Sequence, residues 1–221
     1  MQLVPNGRVV EKLGNFSVLG QSLSGIRVSS SPPELTNYMR NTEEGVRRSV
    51  QLEVLKDDPV LRAYRDFFWK AGIDPTKTRP ASEALIRRIL RGNPLPAINS
   101  FVDALNIASV ETRIAFAAFD RDRLAGELEL RLARLGESIL PIGHAERLVL
   151  EGREMVIADG RRVIALYPHR DSEETKITEG SKRALVLSCG VPGVDHAFIQ
   201  GSLGKCLATV ARFCGGTPGD E

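Results

Sequence analysis

Aromatic residues are scarce in this sequence, at 5% of 221 positions, with a single tryptophan. Successive exposed rings are what a stacking platform for single-stranded nucleic acid requires, so that class is disfavoured. Cysteine is also rare. Cys189, Cys206 and Cys214 form no Cys-x-x-Cys pair and have no histidine at ligand spacing. Neither a metal site nor a disulfide framework is written there, and reduced structural thiols are expected. No apolar run approaches the length that spans a bilayer, and the first ten residues, MQLVPNGRVV, lack a leader's apolar region and cleavage site. A cytoplasmic protein without membrane contact is expected. Excess charge is missing too: 30 basic against 28 acidic residues leave +2. A nucleic-acid role would therefore need a local basic patch. Only His144, His169 and His196 supply imidazoles. No Ser-His-Asp or Cys-His arrangement is suggested by their spacing, so a covalent nucleophile is not expected. Internal repeats and low-complexity segments are absent.

Hydrophobic residues make up 42% of the chain, enough for one large domain or a domain with a helical arm. The stretch 95–120 organises the rest. It reads as a helix running into a strand. Asn99, Asp103 and Asn106, spaced i, i+4, i+7, share one face of that helix. Ile98, Val102, Leu105 and Ser109 lie on adjacent rows, and Phe101 and Ala108 widen the apolar stripe. The polar face has a capping explanation: Ser100-x-x-Asp103 fits a capping box, and Asn99 fits a cap.

Before that stretch, residues 8–10, 16–19 and 26–28 are β-prone runs broken by glycines, read as a small meander. Ser31-Pro32-Pro33 starts a helix extending to about residue 55, with a charged, solvated second half containing Glu43, Glu44, Arg47 and Arg48. Asp58-Pro59 opens a core helix that carries Val60, Leu61, Tyr64, Phe67, Phe68 and Ala71 inward and closes at Gly72. A loop over 73–80 contains Lys77 and Arg79. The helix after Pro80 turns Leu85, Ile86, Ile89 and Leu90 inward, keeps Arg87, Arg88 and Arg91 on or beside its outer side, and ends at Gly92. Downstream, residues 114–119 read as a strand, 127–134 as an alternating half-buried strand, and 155–158 with 162–166 as a hairpin across Asp159-Gly160. A polar loop over 169–176 follows. Residues 183–188 are the last strand expected. A final helix has the stripe Leu203, Leu207, Val210 and Cys214, and Asp195-His196 is most simply its cap. Helices dominate the first half and strands the second, an order that argues α+β over a wound parallel sheet.

The central block carries a resemblance. Ile98-Asn99, Val102-Asp103, Asn106 and Glu111 are followed by Ala118-Phe119-Asp120-Arg121-Asp122-Arg123. Gly126, Arg131, Ala133 and Gly136-Glu137 come next. In order and spacing this resembles the B3/B4 tRNA-editing domain of the phenylalanyl-tRNA synthetase beta chain. The segment 64–91 looks like the free-standing members of that family, and the resemblance spans roughly residues 63–216. It implies a β-rich core, sandwich- or barrel-like, flanked by helices. The division it suggests is an N-terminal arm over 1–57 integrated with the core, the domain over 58–216, and a frayed tail over 217–221. The implied activity is metal-independent, cofactor-free hydrolysis of the ester joining a wrong amino acid to tRNA. The implied partners are aminoacyl-tRNA and, as a small ligand, its amino-acid moiety.

The sequence departs from the family pattern at two positions. Ala117 stands where the family has a histidine, and Ser188 where it has the glutamate implied in reading a tyrosine hydroxyl. Misformed tyrosyl-tRNA is therefore not the expected substrate. Catalytic candidates are Asn99, Asp103, His169 and Thr175. Substrate-binding candidates are Asn106, Ala117, Glu173, Glu174 and Ser188, and the loop around His169 falls where the family's glycine-rich pocket loop runs. Arg79, Arg87, Arg88 and Arg91 are candidates for tRNA phosphates. The competing reading is a module that binds an amino acid or tRNA without hydrolysis.

Overall fold

The structure is a computed structural model in which residues 1–219 are described. The chain opens with β1 (Gln2–Leu3) and the short helix α1 (Gly7–Leu13). Residues 8–10, expected as a strand, are helical. The Asn6 side chain accepts the Val9 amide at 3.0 Å and caps the helix, and Val9 and Leu13 are buried. β2 (Val18–Ser24) replaces and lengthens the expected run at 16–19, while residues 26–28 join no strand. α2 (Pro33–Ser49) begins at the predicted proline pair and stops before the expected end. Its charged half is not all solvated. Glu43 is buried, and its carboxylate accepts the Leu95 amide at 2.7 Å.

α3 (Pro59–Lys70) has the predicted cap: the Asp58 carboxylate accepts the amides of Val60 and Leu61. Leu61, Tyr64, Phe67 and Phe68 are buried along one face, each such apolar side chain contributing about 1.5–3 kcal/mol. α4 (Ala81–Leu90) and α5 (Ser100–Thr112) complete the helical half. Strands follow: β3 (Ala115–Asp120), β4 (Glu129–Leu132), β5 (Ser138–Ile139), β6 (Leu148–Val149), β7 (Met155–Ala158) and β8 (Val163–Leu166). β9 (Arg170–Asp171) and a 3-10 turn over Glu173–Thr175 occupy the stretch expected as a polar loop. β10 (Arg183–Cys189), α6 (His196–Cys214) and β11 (Thr217–Pro218) end the described chain.

The larger sheet runs β1-β2-β10-β3, with β11 also pairing β2, and every pairing is antiparallel. The smaller sheet runs β4-β7-β8-β9, and β5 pairs with β6 apart from both. α6 packs on α5 and on β10. The fold is α+β with open antiparallel sheets. The sheets do not close into a barrel, because β3 and β9 remain edge strands.

β2 is an inner strand, paired with β10 from Val18 to Ser24. Residues 1–57 thus contribute a strand to the middle of the sheet, as well as β1, α1 and α2. At the other end, Thr217 and Pro218 pair with Ser24 and Leu23, so these two tail residues are held rather than frayed. Residues 220–221, also expected to fray, lie outside the described residues. One apolar cluster links both sheets to α3, α5 and α6. A second fills the space among α2, α4 and α5, around Leu35, Ile86, Ile89 and Ile107.

Candidate active site

The predicted site residues fall into separate groups. At the start of α5, the Asn99 side-chain oxygen accepts the amides of Phe101 and Val102 at 3.1 and 2.9 Å. Asp103, buried one turn on, accepts the Ile98 amide at 2.9 Å and the Ser31 hydroxyl at 2.6 Å. Burial pushes its carboxyl up, against the hydrogen bonds from Ser31 and the backbone. Both side chains thus hold the helix entry in the manner of a displaced capping box. Asn106, partly exposed, follows on the same helix. None of the three lines the cavity described below.

Ala117 and Ser188 lie on the paired strands β3 and β10. Ala117 sits opposite Leu187, and Ser188 opposite Phe116. Successive side chains alternate between faces, so the two point to opposite sides of the sheet. Ser188 is buried, and its hydroxyl donates to the Ile199 carbonyl of α6 at 3.3 Å. A single pocket containing both is not formed.

The segment 167–175 is different. Ser172 caps the 3-10 turn by accepting the Glu174 amide at 3.2 Å. Glu173 pairs with Lys176, and Glu174 bridges Arg147 and Arg162 at 2.8 and 2.9 Å. Two neighbours keep buried polar atoms without a hydrogen-bond partner, His169 Nδ1 and Thr175 Oγ1. Such atoms are rare in folded proteins and call for an explanation. The His169 ring meets the Phe68 ring edge-on at 5.6 Å. Burial and the nearby Arg170 charge pull its imidazole down to about 4, outweighing the Tyr167 carbonyl, so it is neutral at pH 7. A cavity of about 340 Å³ opens beside it, walled by Ile73, Met155, Leu166 and Tyr167, with Lys77 and Arg153 also in its lining.

Behind this wall lies a cluster of titratable side chains that periodicity could not reveal. The Tyr64 hydroxyl accepts the Ala115 amide at 3.1 Å and donates to the Cys189 carbonyl, joining α3 to the ends of β3 and β10. The Tyr167 hydroxyl donates to the Gly190 carbonyl. Burial, and then the neighbouring Cys189, hold both phenols protonated. Burial and the charge of Asp171 do the same to the Cys189 thiol, which is therefore no nucleophile. Asp171 brings a carboxyl into this cluster. Burial pushes it up to about 7, although the Ala118 amide hydrogen-bonds its charged form. Of this set, sequence reasoning placed Tyr64 in the core and passed over Tyr167 and Asp171. The acidic character of 169–176 was visible, but not which carboxylate turns inward.

The arginine candidates also divide. Arg87 donates to the buried Glu83 carboxylate at 2.6 Å, and Arg65 to the same carboxylate at 3.0 Å. Arg88 donates to the Pro94 carbonyl at 2.5 Å, and Arg91 is exposed. Arg79 has a buried Nε without a partner. Among the described residues, no group of three or more His, Cys, Asp or Glu side chains is arranged to hold a metal ion, and no helix is long and apolar enough to cross a membrane.

An α+β fold of open antiparallel sheets, with a buried cluster of titratable groups at the ends of β3 and β10, defines the class. Comparison with known proteins then identifies the family. A model described as the B3/4 domain matches residues 63–214, and the chain belongs to that family. Among its relatives is the phenylalanine–tRNA ligase beta subunit of Nitrosospira multiformis, 38% identical over 162 residues, a match covering 61% of this chain and 20% of that subunit. The same subunit from Fusobacterium nucleatum is 32% identical over 145 residues, covering 66% of this chain and 17% of the subunit. The chain therefore spans about a fifth of the length of these relatives. Its fold is shared with an N-terminal fragment of the phenylalanyl-tRNA synthetase beta subunit from Pyrococcus horikoshii, at a TM-score of 0.51 and 12% identity. That match covers 98% of this chain and 53% of the fragment.

Proposed function

We propose that this protein hydrolyses the ester bond of a mischarged aminoacyl-tRNA. The observation that carries the reading is the segment 167–175. Within a domain related to the beta subunits of a tRNA ligase, it sets a neutral imidazole with an unpartnered buried Nδ1 in the lining of a cavity, and it carries a second unpartnered buried atom, the Thr175 hydroxyl, further along the chain. In this reading His169 and Thr175 supply the missing hydrogen bonds to the ester and to the attacking water. A neutral imidazole suits that work, since it can donate to developing negative charge on the carbonyl oxygen without a full charge in the ground state. Positioning supplies the remainder of the rate.

Glu173 and Glu174 shape the turn through their ion pairs. Asn99 and Asp103 hold the entry of α5, and Asn106 extends that polar face. Ala117 and Ser188 remove the family's histidine and glutamate, which favours an amino acid other than tyrosine. In this reading the exposed Arg91 meets phosphates, while Arg88 is tied to the Pro94 carbonyl and Arg79 keeps its Nε buried. Arg87 contributes by fixing α4 through Glu83.

The test is a deacylation screen, in which purified protein is incubated with correctly and incorrectly charged tRNAs and ester loss is followed over time. Enzyme-dependent loss for one amino acid is expected, and it names the side chain. Loss no faster than the spontaneous rate across the panel refutes hydrolysis. It would favour an amino-acid-binding module, the reading that Ala117 and Ser188 also allow.

A further inference from the structure

We propose that a second cavity, at the turn between β7 and β8, is a phosphate site through which this protein holds the backbone of an RNA; the choice of RNA as partner rests on the hydrolase reading above. The cavity measures about 500 Å³, and apart from Gly160 every residue in its lining carries an ionisable side chain. Four are arginines: Arg131, Arg134, Arg161 and Arg162. The local fold accounts for their placement. On β4, Glu129 and Arg131 flank the buried Leu130, so alternation turns them to the opposite face. Glu129 is paired with Ala158, which leads into the turn. The Asp159 carboxylate fixes that turn: one oxygen accepts the Arg161 and Arg162 amides at 2.8 Å, and the other accepts the Ala125 amide at 3.0 Å.

Counted as charges, this lining is balanced. Counted as unused hydrogen-bonding groups, it is not. Glu137 turns both oxygens to Arg131 at 2.8 Å, Glu129 pairs with the same guanidinium at 3.0 Å, and Asp159 is taken up by the three amides. Glu127, which is exposed, keeps a carboxylate with no hydrogen bond or ion pair among the described residues. On the donor side, Arg162 is tied through Nη1 to Glu174 at 2.9 Å and through Nη2 to the Arg123 carbonyl at 3.2 Å, yet its Nε is buried without a partner. The guanidiniums of Arg134 and Arg161 make no hydrogen bond or ion pair among the described residues. Two whole guanidiniums and one buried N–H therefore stand against a single carboxylate. A buried donor left unbonded is costly and calls for an explanation. An anion with several oxygens answers it, and phosphate matches the planar guanidinium fork.

The site lies on the same hairpin as the cavity that His169 lines. Arg162 immediately precedes β8, and Leu166, at the far end of that strand, is in the wall of the His169 cavity. Four residues of strand put roughly 13 Å between them. An RNA whose acylated end enters the His169 cavity thus has its preceding phosphates within reach of Arg134 and Arg161. On α4, by contrast, Arg87 is held by Glu83 and Arg88 by the Pro94 carbonyl.

The test measures the affinity of uncharged tRNA by fluorescence anisotropy between about 50 and 200 mM salt. The proteins are wild type, Arg134→Gln, Arg161→Gln and Arg48→Gln, the last altering an exposed arginine of α2 outside the cavity. All three arginines are exposed and their guanidiniums unbonded among the described residues, so the variants should fold. Arg134→Gln and Arg161→Gln should each weaken binding roughly tenfold and lower the slope of log affinity against log salt by about one. Arg48→Gln should change neither. Wild-type affinity and slope in both cavity variants overturn the proposal and leave the hydrolase reading to the deacylation screen. An equal effect of Arg48→Gln also overturns it, since net charge would then suffice. So does wild type with no measurable affinity for tRNA. Inorganic phosphate is titrated separately by NMR: if the cavity variants lose phosphate binding yet keep wild-type tRNA binding, the site serves the free ion and the RNA assignment falls. Arginine-dependent tRNA binding by a wild type that deacylates no ester upholds the phosphate site and refutes the hydrolase reading.

Discussion

His169 and Asp171 titrate in opposite senses across the same pH range, and that opposition can be measured as stability. Folding lowers the imidazole from 6.5 to about 4. Between those values the unfolded chain binds the extra proton, so stability is intact above 6.5 and falls as pH drops toward 4. Over that interval, at ~1.4 kcal/mol per pH unit, the loss is about 3 kcal/mol. Folding raises the Asp171 carboxyl from 3.8 to about 7. Here the folded chain binds the extra proton, so stability is intact below 3.8 and falls as pH climbs to 7, by about 4 kcal/mol. Between pH 4 and 6.5 the two slopes nearly cancel in wild type. Asp171→Asn removes one of them. The difference in unfolding free energy, variant minus wild type, should therefore rise by about 3 kcal/mol across this window. Urea unfolding followed by circular dichroism at four pH values measures it, and titrations shared by the two proteins drop out of the difference. A difference constant within about 0.5 kcal/mol would mean that the Asp171 carboxyl is solvated like any surface group, and the reasoning would fail.

Other perturbations separate structure from chemistry. Tyr64→Phe leaves the Ala115 amide and the Cys189 carbonyl without their shared hydroxyl and should lower stability by about 2–3 kcal/mol in thermal or urea unfolding. No loss would mean that β3 and β10 close directly across the gap. Glu83→Gln leaves Arg65 and Arg87 facing a neutral group in a buried position and should cost about 3 kcal/mol, read from the same melts. Unchanged stability would remove Arg87 from the structural account and return it to the tRNA surface. Asn99→Ala deletes a cap and should cost about 1 kcal/mol while specific activity stays at the wild-type level. A collapse of kcat in a fully folded Asn99→Ala protein would place that side chain at the ester instead.

Local chemistry made much of the fold legible. Asp58-Pro59 announced α3, and the 155–166 hairpin was written in Asp159-Gly160, where the Asp159 side chain accepts the amides of Arg161 and Arg162 at 2.8 Å. Many of the motif residues behind the family resemblance turn out to be architectural. Asp120 accepts the Ser181 hydroxyl at 2.7 Å, Arg131 forks onto Glu137 at 2.8 Å on both arms, and Gly126 adopts φ 67. Such residues identify a fold well because the fold fails without them, and for the same reason they say little about catalysis. α1 was misread because Val9-Val10 favours a strand locally while the Asn6 cap and the packing of Val9 and Leu13 decide for helix. Glu43 looked solvated because charge patterning cannot foresee a long-range partner such as the Leu95 amide. The Tyr64–Tyr167–Cys189–Asp171 cluster was invisible for a related reason. Its members come from α3, the turn after β8, β10 and β9, segments far apart in the chain that only tertiary packing brings together.

The two ends of the described chain lie along one strand. β1 pairs with β2 at Leu19 and Val18, and β11 pairs with the same strand at Leu23 and Ser24. Both pairings fall on the side of β2 that faces away from β10. At about 3.3 Å per residue, Leu19 and Leu23 are separated by roughly 13 Å, a gap that four or five linker residues would bridge. A fold that begins and finishes side by side can be spliced into a surface loop of a host chain without pulling either end of its sheet apart. The same geometry makes it a candidate for circular permutation, with new termini opened in an exposed turn such as 143–146.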